Sequence, residues 1–242
     1  MSFPVKTAMI LGAGLGTRMR PLTNQLPKPL VPLAGKPLID HVLDRLAGAG
    51  VELAVVNVHY RADQLIEHLK ARKSPRIVIS DEREGLLDTG GGVKRALPLI
   101  GKGPFYIHNS DAVSIGGLGA NLRRMAEIWN PERMDSLMLL ATATNSVGYS
   151  GMGDFEMTPD GILRRRKERQ VAPFIFSGVS IATPRLFLHS PEGAFSLNVL
   201  WDRAMAEGRL HGMQQEGIWM HVGDPQSLAE AERTIGVGAL HA

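Results

Sequence analysis

The residues best suited to chemistry in this 242-residue chain are a glycine-rich loop and the basic residues that follow it. The apolar run 8–11 predicts a buried strand, and a loop of small residues comes after it: Gly12, Gly14, Gly16 and Thr17. Glycine lets a backbone turn tightly and approach a ligand, so that N–H groups face anionic oxygens. Arg18 and Lys28 supply positive charge where phosphates would lie. The pattern indicates a site that handles a nucleoside triphosphate (NTP).

Two common phosphate-binding motifs do not match this loop. The dinucleotide fingerprint needs glycine where Thr17 stands, and the Walker A motif needs a Gly-Lys-Ser or Gly-Lys-Thr sequence that the chain lacks. The alternative to a phosphate-binding loop is a strand-to-helix turn whose basic residues are only solvated and bind no ligand. The Arg-x-x-Pro-Leu-Thr sequence from Arg18 and the Pro-Lys-Pro-Leu sequence around Lys28 argue against that alternative.

Apolar strands and amphipathic helices alternate in the first part of the chain. The predicted strands are Thr7–Leu11, Leu53–Val58, Arg76–Ser80, Phe105–His108 and Ser136–Ala141, and the predicted helices are Pro37–Ala49, Ala62–Lys70 and Gly92–Leu99. This alternation predicts an α/β fold with a mostly parallel, Rossmann-like sheet that helices cover on both faces. Ligands of such sheets bind at the carboxyl ends of the strands, where the glycine loop and Asp111 both fall.

After about residue 136 the pattern changes to short strands. Three segments around a Pro-Asp-Gly turn predict a small β-hairpin region, and two helices follow: Asp154–Met157, Ile162–Arg165 and Pro173–Ile181, then Ser196–Glu207 and Pro225–Thr234. The sequence shows no linker, internal repeat or hexapeptide array, so we expect a single domain.

Composition excludes several classes of protein. Hydrophobic residues make up 44% of the chain and charged residues 21%, which is typical of a globular protein. The net charge of +3 gives no support for a nucleic-acid or membrane partner. No apolar run approaches the ~20 residues that span a bilayer. The absence of cysteine suits a reducing compartment. We therefore expect a cytoplasmic protein, and its oligomeric state stays open.

The segment from Leu11 to Leu46 resembles the opening of the sugar-1-phosphate nucleotidyltransferases, which join an NTP and a sugar 1-phosphate to give an NDP-sugar and pyrophosphate. Further resemblances follow in the same order at Leu87–Gly92, His108–Ala112, Phe176–Gly178 and Trp219–Pro225. The resemblance implies that about residues 1–135 bind the nucleotide and about residues 136–242 form the sugar-binding and C-terminal part.

The resemblance also implies roles for individual residues. Arg18 meets the β- and γ-phosphates, Lys28 meets the α-phosphate, and Asp111 binds Mg²⁺; these three are the predicted catalytic residues. Ser110 replaces the glycine of the family's Asn-Gly-Asp pattern. The nucleotide contacts are predicted from Gly12, Gly14, Gly16, Thr17, Arg18, Lys28, Glu82, Gly90 and Asn109. As an alternative, Asp111 is a turn or cap aspartate.

The second metal position departs from the family. Relatives often carry aspartate in Trp-x-Asp-Val-Gly-Thr-Pro, whereas this chain has His221 there and Asp224 in place of the threonine. Imidazole is a poor ligand for Mg²⁺. Three arrangements remain open: His221 holds a metal-bound water, Asp224 moves in, or the metal relies on Asp111 alone. A histidine packed beside Trp219 is the alternative without a metal.

The sugar side rests on four residues that match family positions: Asn145, Gly153, Asp154 and Ser177. Asparagine and aspartate in a glycine-rich loop are also common turn formers. The basic run Arg164–Lys167 could meet the sugar phosphate, but a charged hairpin edge explains it better. No aromatic residues interleave the run, so a nucleic-acid patch has little support.

Within the family, the short chain and the Leu-x-Thr-Gly-Gly-Gly form are most similar to the uridylyltransferases that act on N-acetylmuramate 1-phosphate in cell-wall recycling. Mannose-1-phosphate guanylyltransferase is the alternative, because Glu82 or Glu84 could accept hydrogen bonds from guanine. A homologue that binds NDP-sugar but has impaired catalysis is a further alternative, which the histidine at position 221 suggests. A nicotinamide oxidoreductase is excluded at Thr17 and at Asn57, where its acidic residue is missing.

Overall fold

The computed structural model describes residues 5–115 and 118–239 of the chain. Its strands are β1 (Thr7–Leu11), β2 (Pro32–Leu33), β3 (Lys36–Pro37), β4 (Leu53–Val58), β5 (Arg76–Asp81), β6 (Phe105–Asn109), β7 (Ala112–Ile115), β8 (Ser136–Thr142), β9 (Ser146–Val147), β10 (Phe155–Met157), β11 (Leu163–Arg165), β12 (Phe174–Ala182), β13 (Leu210–Gln214) and β14 (Ile218–His221). Its α-helices are α1 (Leu38–Gly48), α2 (Ala62–Lys70), α3 (Asp88–Ile100), α4 (Leu118–Ile128), α5 (Leu197–Ala206) and α6 (Pro225–Ala239).

One sheet runs through both parts of the chain. Its strand order is β13-β8-β12-β6-β1-β4-β5, and the hairpin β10–β11 joins it beside the first residue of β12. Strand β12 is antiparallel to both β6 and β8. Of the nine strands described in this sheet, β11 and β12 run one way and the other seven run the opposite way. The predicted α/β class with a mostly parallel sheet is confirmed.

Helices cover both faces of this sheet, as the apolar strands require. Ala8 and Ile10 of β1 pack with α1, α2 and α4 on one face, while Met9 packs with α3 and α5 on the other. Successive side chains of a strand point to opposite faces, so a strand that is buried on both sides must be apolar throughout. This is why β1 and β4 could be predicted from the sequence to the residue.

A second, smaller sheet has the order β7-β14-β9. Strand β14 is antiparallel to β7 and parallel to β9. The register pairs His221 with Ala112, the residue after Asp111. This small sheet therefore connects the C-terminal part of the chain to the end of β6.

Two sequence predictions differ from the structure near the site. Helix α3 begins at Asp88, four residues before the predicted start, and therefore includes Gly90, Gly91 and Gly92. Glycine disfavours helix, but these three are buried in contacts that a side chain would block, and tertiary packing overrides the propensity. Strands β13 and β14 were not predicted, since each is short and is fixed by distant partners.

No helix in the described ranges combines the length and the apolar character that crossing a membrane requires.

His108, in the middle of the sheet, makes stability depend on pH. The side chain is 1% exposed, and its Nδ1 lies 2.7 Å from the carbonyl oxygen of Asn109. Burial, helped by the charge of Arg45, lowers the pKa of His108 to about 4. The unfolded chain then takes up a proton near pH 6.5, where the folded chain does not, so stability falls as the pH drops from 6.5 towards 4.

We predict that His108→Asn, which keeps a donor for that carbonyl but cannot take up a proton, loses less stability than wild type between pH 7 and pH 5. The difference should be about 2 kcal/mol in the free energy of unfolding, measured by urea denaturation. His189→Asn, at an exposed position, is the control. Equal losses in wild type and His108→Asn would contradict the prediction.

Candidate active site

The glycine loop after β1 is held against the neighbouring strand β4. The N–H of Gly12 donates to Oδ1 of Asn57 at 2.7 Å. A Cβ at position 12 would lie 2.9 Å from the Asn57 carbonyl oxygen, so a side chain there would push the loop off the strand. Gly16 adopts φ +62°, and its carbonyl accepts from the Thr23 hydroxyl at 2.7 Å. Glycine is required at both positions, for close approach at one and for backbone conformation at the other.

This loop and the ends of β4 and β6 enclose a cleft of about 370 Å³. The cleft brings together most of the residues predicted from the sequence to bind nucleotide or catalyse: Gly12, Gly14, Gly16, Thr17, Arg18, Lys28, Asn109 and Asp111. The carboxyl ends of parallel strands meet at one edge of a sheet, which explains why segments so distant in sequence converge.

Lys28 and Asp111 form an ion pair at the centre of the cleft. Their side chains are only 14% and 24% exposed. Burial raises the pKa of the Asp111 carboxyl, but the charge and hydrogen bond of Lys28 outweigh it, so the pKa falls below its usual value. Pro27 and Pro29 flank Lys28 in a short 3₁₀ helix, which restricts the backbone that carries the ammonium group. The cleft thus holds a fixed cation against an ionised carboxylate.

Gly90, predicted to contact the nucleotide, lies outside the cleft. Its N–H donates to the Phe195 carbonyl at 2.8 Å, and a Cβ would fall 2.4 Å from the Phe195 ring. The glycine is therefore required by packing between α3 and the segment before α5. The neighbouring Asp88 and Thr89 line the cleft instead. Asp88 begins α3, with φ +58° and its Oδ1 accepting from the N–H of Thr89 at 2.6 Å.

Glu82 was also predicted to contact the base, but it is not among the residues that line the cleft. The side chain is 0% exposed. Oε1 accepts from Nδ2 of Asn57 at 2.8 Å, and Oε2 lies 3.4 Å from the N–H of Leu87. Burial raises the pKa of the Glu82 carboxyl, against the opposing effect of these hydrogen bonds. Glu82 lies behind the cleft, where no ligand atom can reach it.

A second cavity of about 230 Å³ adjoins the first at Arg18, Asn109 and Asp111. Asp154 and Ser177, both predicted to bind the sugar, line it. Oδ2 of Asp154 accepts from the N–H of Phe176 at 2.9 Å, which fixes the carboxylate at the wall. The Ser177 hydroxyl is buried and donates to the Leu139 carbonyl at 2.8 Å.

The other two predicted sugar ligands do not line this cavity. Asn145 is exposed at the end of the short 3₁₀ helix Ala143–Asn145. Gly153 is buried with φ +77°, and a Cβ there would lie 2.0 Å from the Ala172 carbonyl oxygen. Gly153 therefore serves the conformation of its loop, as the turn-former alternative expected of this region.

Aromatic residues form the wall that sequence reasoning missed: Tyr149, Phe176 and Trp219. Trp219 and His221 alternate on β14 and so share a face, which was a usable signal. Tyr149 gave none, because it lies in an irregular loop whose position depends on the fold.

His221 packs among these rings. Its ring centroid lies 5.6 Å from that of Trp219 and 6.3 Å from that of Tyr149. A Cβ on Gly223 would lie 2.4 Å from its Nε2. Burial lowers the pKa of His221, with Lys28 and Arg18 adding to this and Asp111 opposing it, so the imidazole is neutral at neutral pH. It faces the carboxylate of Asp111 as a neutral group.

Asp224 is already engaged in a helix cap. Its Oδ1 accepts from the N–H of Ser227 at 2.8 Å, and its own N–H donates to Oγ of Ser227 at 3.0 Å. These bonds fix the start of α6. Across residues 5–115 and 118–239, His, Asp and Glu side chains form no cluster of three or more that could hold a metal ion.

The basic run 164–167 is committed to the fold. Arg165 pairs with Asp202, and Arg166 donates to the carbonyls of Gly153 and Gln170 at 3.0 Å each. Both lie at or beyond β11, at the edge of the main sheet. The hairpin-edge interpretation is consistent with these contacts, and no contact with the second cavity is present among them.

The fold and the two joined cavities are those of an α/β protein with a binding site in two compartments. Residues 7–143 match the family model described as Nucleotidyl transferase. The chain belongs to this family and is a nucleotidyltransferase. The predicted resemblance is thereby confirmed.

Relatives of known activity align along almost the whole chain. It is 52% identical to N-acetylmuramate alpha-1-phosphate uridylyltransferase of Caulobacter vibrioides, over 97% of this chain and 99% of that protein. The Neisseria meningitidis protein of the same name is 34% identical, over 95% and 98%. Mannose-1-phosphate guanyltransferase of Aspergillus fumigatus is 32% identical, over 91% of this chain and 62% of its own length.

Solved structures share the fold. A UDP-glucose pyrophosphorylase complexed with UDP-glucose superposes with a TM-score of 0.78 at 18% identity, covering 97% of this chain and 99% of that one. HddC from Yersinia pseudotuberculosis gives a TM-score of 0.75 at 22% identity, covering 96% and 100%.

We predict that Asp111→Asn removes most activity at saturating substrate and leaves the fold intact. The carboxylate is partly exposed at a strand end, so its charge matters more to the ligand than to the core. Initial rates and thermal unfolding would be measured beside Asp63→Asn, an exposed control. Activity of Asp111→Asn within about threefold of wild type would remove Asp111 from the catalytic residues.

We predict that Lys28→Ala lowers kcat far more than it weakens NTP binding, because its charge matters most while negative charge reorganises at the α-phosphate. The loss should be about a hundredfold, or ~3 kcal/mol. Lys36→Ala is the control, since Lys36 pairs with Asp44 away from both cavities. A change confined to KM would make Lys28 a binding residue only.

Proposed function

We propose that this nucleotidyltransferase transfers uridylyl from UTP to N-acetylmuramate 1-phosphate and releases pyrophosphate. The observation that carries the proposal is the 52% identity to a uridylyltransferase for this sugar phosphate along nearly all of both chains. The joined cavities support it, because one accommodates a nucleotide beside a smaller space of sugar size.

The reaction is an in-line displacement at the α-phosphorus. A phosphate oxygen of the sugar 1-phosphate forms the new P–O bond, the bond between the α-phosphorus and the bridging oxygen breaks, and pyrophosphate leaves with that oxygen. The glycine-loop N–H groups and Arg18 bind the phosphates, and Lys28 neutralises charge at the α-phosphate. Arg18, Asn109 and Asp111 lie where the cavities meet, so the two substrates would react there.

Asp111 is the residue we propose to hold Mg²⁺. Its carboxylate suits a hard cation, and Lys28, its ion-pair partner, would move to the phosphates when substrate binds. His221 is a poor ligand for Mg²⁺ and would act on a metal-bound water at most. When bound, the ion would neutralise phosphate charge and help to align the reacting groups.

The division of labour in the chain follows from this assignment. About residues 1–135 would bind the nucleotide and about residues 136–242 would bind the sugar, with Asp154 and the aromatic wall in contact with it. We propose Asp154 as a hydrogen-bond acceptor for the sugar, because only one of its oxygens accepts from Phe176. We also propose that the enzyme acts in the cytoplasm, where nucleoside triphosphates are found, in the recycling of cell-wall sugars.

Mannose-1-phosphate guanylyltransferase is the second candidate, supported by relatives at 32% identity. Pyrophosphate release would be measured with each of four NTPs against N-acetylmuramate, mannose, glucose and N-acetylglucosamine 1-phosphates, with Mg²⁺. We expect UTP with N-acetylmuramate 1-phosphate to have the highest kcat/KM, by about tenfold or more. A maximum at GTP with mannose 1-phosphate would select the second candidate. Binding of NDP-sugar without turnover of any pair would indicate impaired catalysis.

We predict that His221→Asp is tolerated and tightens Mg²⁺ binding, because a carboxylate is the harder ligand. His221→Ala should cost roughly tenfold to a hundredfold in Mg²⁺ affinity or rate, the usual range for residues that support a metal through water. Mg²⁺ titrations of initial rate would compare both variants with wild type. If His221→Ala behaves as wild type, the histidine only packs against Trp219.

A further inference from the structure

A series of hydrogen bonds connects three neighbouring strands at the inner wall of the cleft, and one of its residues, Asn57, also lines the cleft. The series starts at the N–H of Gly12, after β1, which donates to Asn57 of β4 at 2.7 Å. Asn57 in turn donates to Glu82, after β5, at 2.8 Å. The second carboxylate oxygen of Glu82 lies 3.4 Å from the N–H of Leu87, just before α3. Asn57 is 3% exposed and Glu82 is 0% exposed.

Space for these hydrogen bonds exists because residue 92 is a glycine and has no side chain. A Cβ at Gly92, inside α3, would lie 2.7 Å from Oε1 of Glu82 and 2.8 Å from Nδ2 of Asn57. Either contact would force the carboxylate and the amide apart. This glycine therefore keeps open the place where the two polar groups meet.

This series of hydrogen bonds links the two walls of the cleft. Gly12 begins the loop that forms one wall, and Leu87 precedes Asp88 and Thr89, which form part of the other. A buried carboxylate is costly unless its hydrogen bonds are made, so Glu82 and Asn57 are satisfied only when both walls are in place. We propose that Asn57 and Glu82 are positioning residues for the nucleotide, which act by fixing the spacing between these walls.

This inference rests on nucleotide binding in the proposed active site, and it holds for any base or sugar. Its test reverses the direction of the central hydrogen bond. In Asn57→Asp the amide that donates to Glu82 becomes a second carboxylate, so the hydrogen bond between the two side chains is lost. In Asn57→Asp combined with Glu82→Gln, the introduced amide donates to the introduced carboxylate. The amide oxygen still faces Leu87, and the carboxylate still accepts from Gly12.

Calorimetry would give the Kd of each of four NTPs, and steady-state rates would give KM for both substrates. We expect Asn57→Asp to weaken NTP binding by about tenfold to a hundredfold. KM for the sugar phosphate should change by less than about threefold, because neither Asn57 nor Glu82 lines the second cavity. The double variant should bind NTP within about threefold of wild type. Glu127→Gln, at an exposed position in α4, is the control.

The double variant separates positioning from direct repulsion of phosphate. Both variants carry a carboxylate at position 57, so repulsion alone would leave both equally weak, and that result would overturn the inference. Equal losses for the NTP and the sugar phosphate would also overturn it. If the wild-type protein binds no NTP, the inference and the proposed function both fail, whereas binding without rescue overturns the inference alone.

Gly92→Ala provides a second test if Asn57→Asp does not fold. The added methyl group should separate Glu82 from Asn57 and weaken NTP binding about tenfold. Gly48→Ala is the matched control, because a Cβ there meets no atom within 4 Å. Unchanged NTP binding in folded Gly92→Ala would overturn the inference.

Discussion

The ion pair between Lys28 and Asp111 is the interaction on which the rest of the site depends. Lys28 follows β1 and its glycine loop, and Asp111 follows β6, so the pair joins two of the segments that line the cleft. Opposite charges that are mostly buried stabilise each other, and each lowers the cost of burying the other. The pair thus holds both charges in place inside the cleft.

The geometry of the main sheet explains why the site has two compartments. Strands β1, β4, β5 and β6 run parallel, and residues at or after the carboxyl ends of β1, β4 and β6 line the first cleft. Strand β12 runs the other way next to β6, so Ser177 and Gly178 in its middle come beside Asn109. A reversed strand therefore forms the floor of the second cavity, directly against the end of β6. The two cavities meet at one line of residues because the sheet changes direction there.

How far the sequence specified the molecule depended on whether a residue's role is local or tertiary. Strands β1 and β4 and helix α2 were predicted to the residue, because a doubly buried strand and an amphipathic helix each carry a periodic pattern. The residues that line the cleft followed from the resemblance together with their positions at strand ends. Glu82 and Gly90 were predicted at the ligand but do not line the cleft, since nothing in a sequence separates a residue that faces a cleft from one that supports it from behind. Tyr149 was missed because an irregular loop has no period.

Glycine illustrates this limit most clearly, since one residue type does several jobs around a single cleft. Gly12 permits close approach of two backbones, Gly16 permits a left-handed conformation, and Gly92 leaves room for a carboxylate and an amide. Only the first two belong to the loop that a phosphate-binding motif would suggest. The third lies inside a helix, where glycine is unfavourable, so the cost must be offset by the contact for which the glycine leaves room. That offset is a buried polar contact between two strands, and it couples the helix to the loop. Such coupling matters for any cleft that binds a flexible ligand in one geometry, because pre-organised walls lower the cost of ordering on binding.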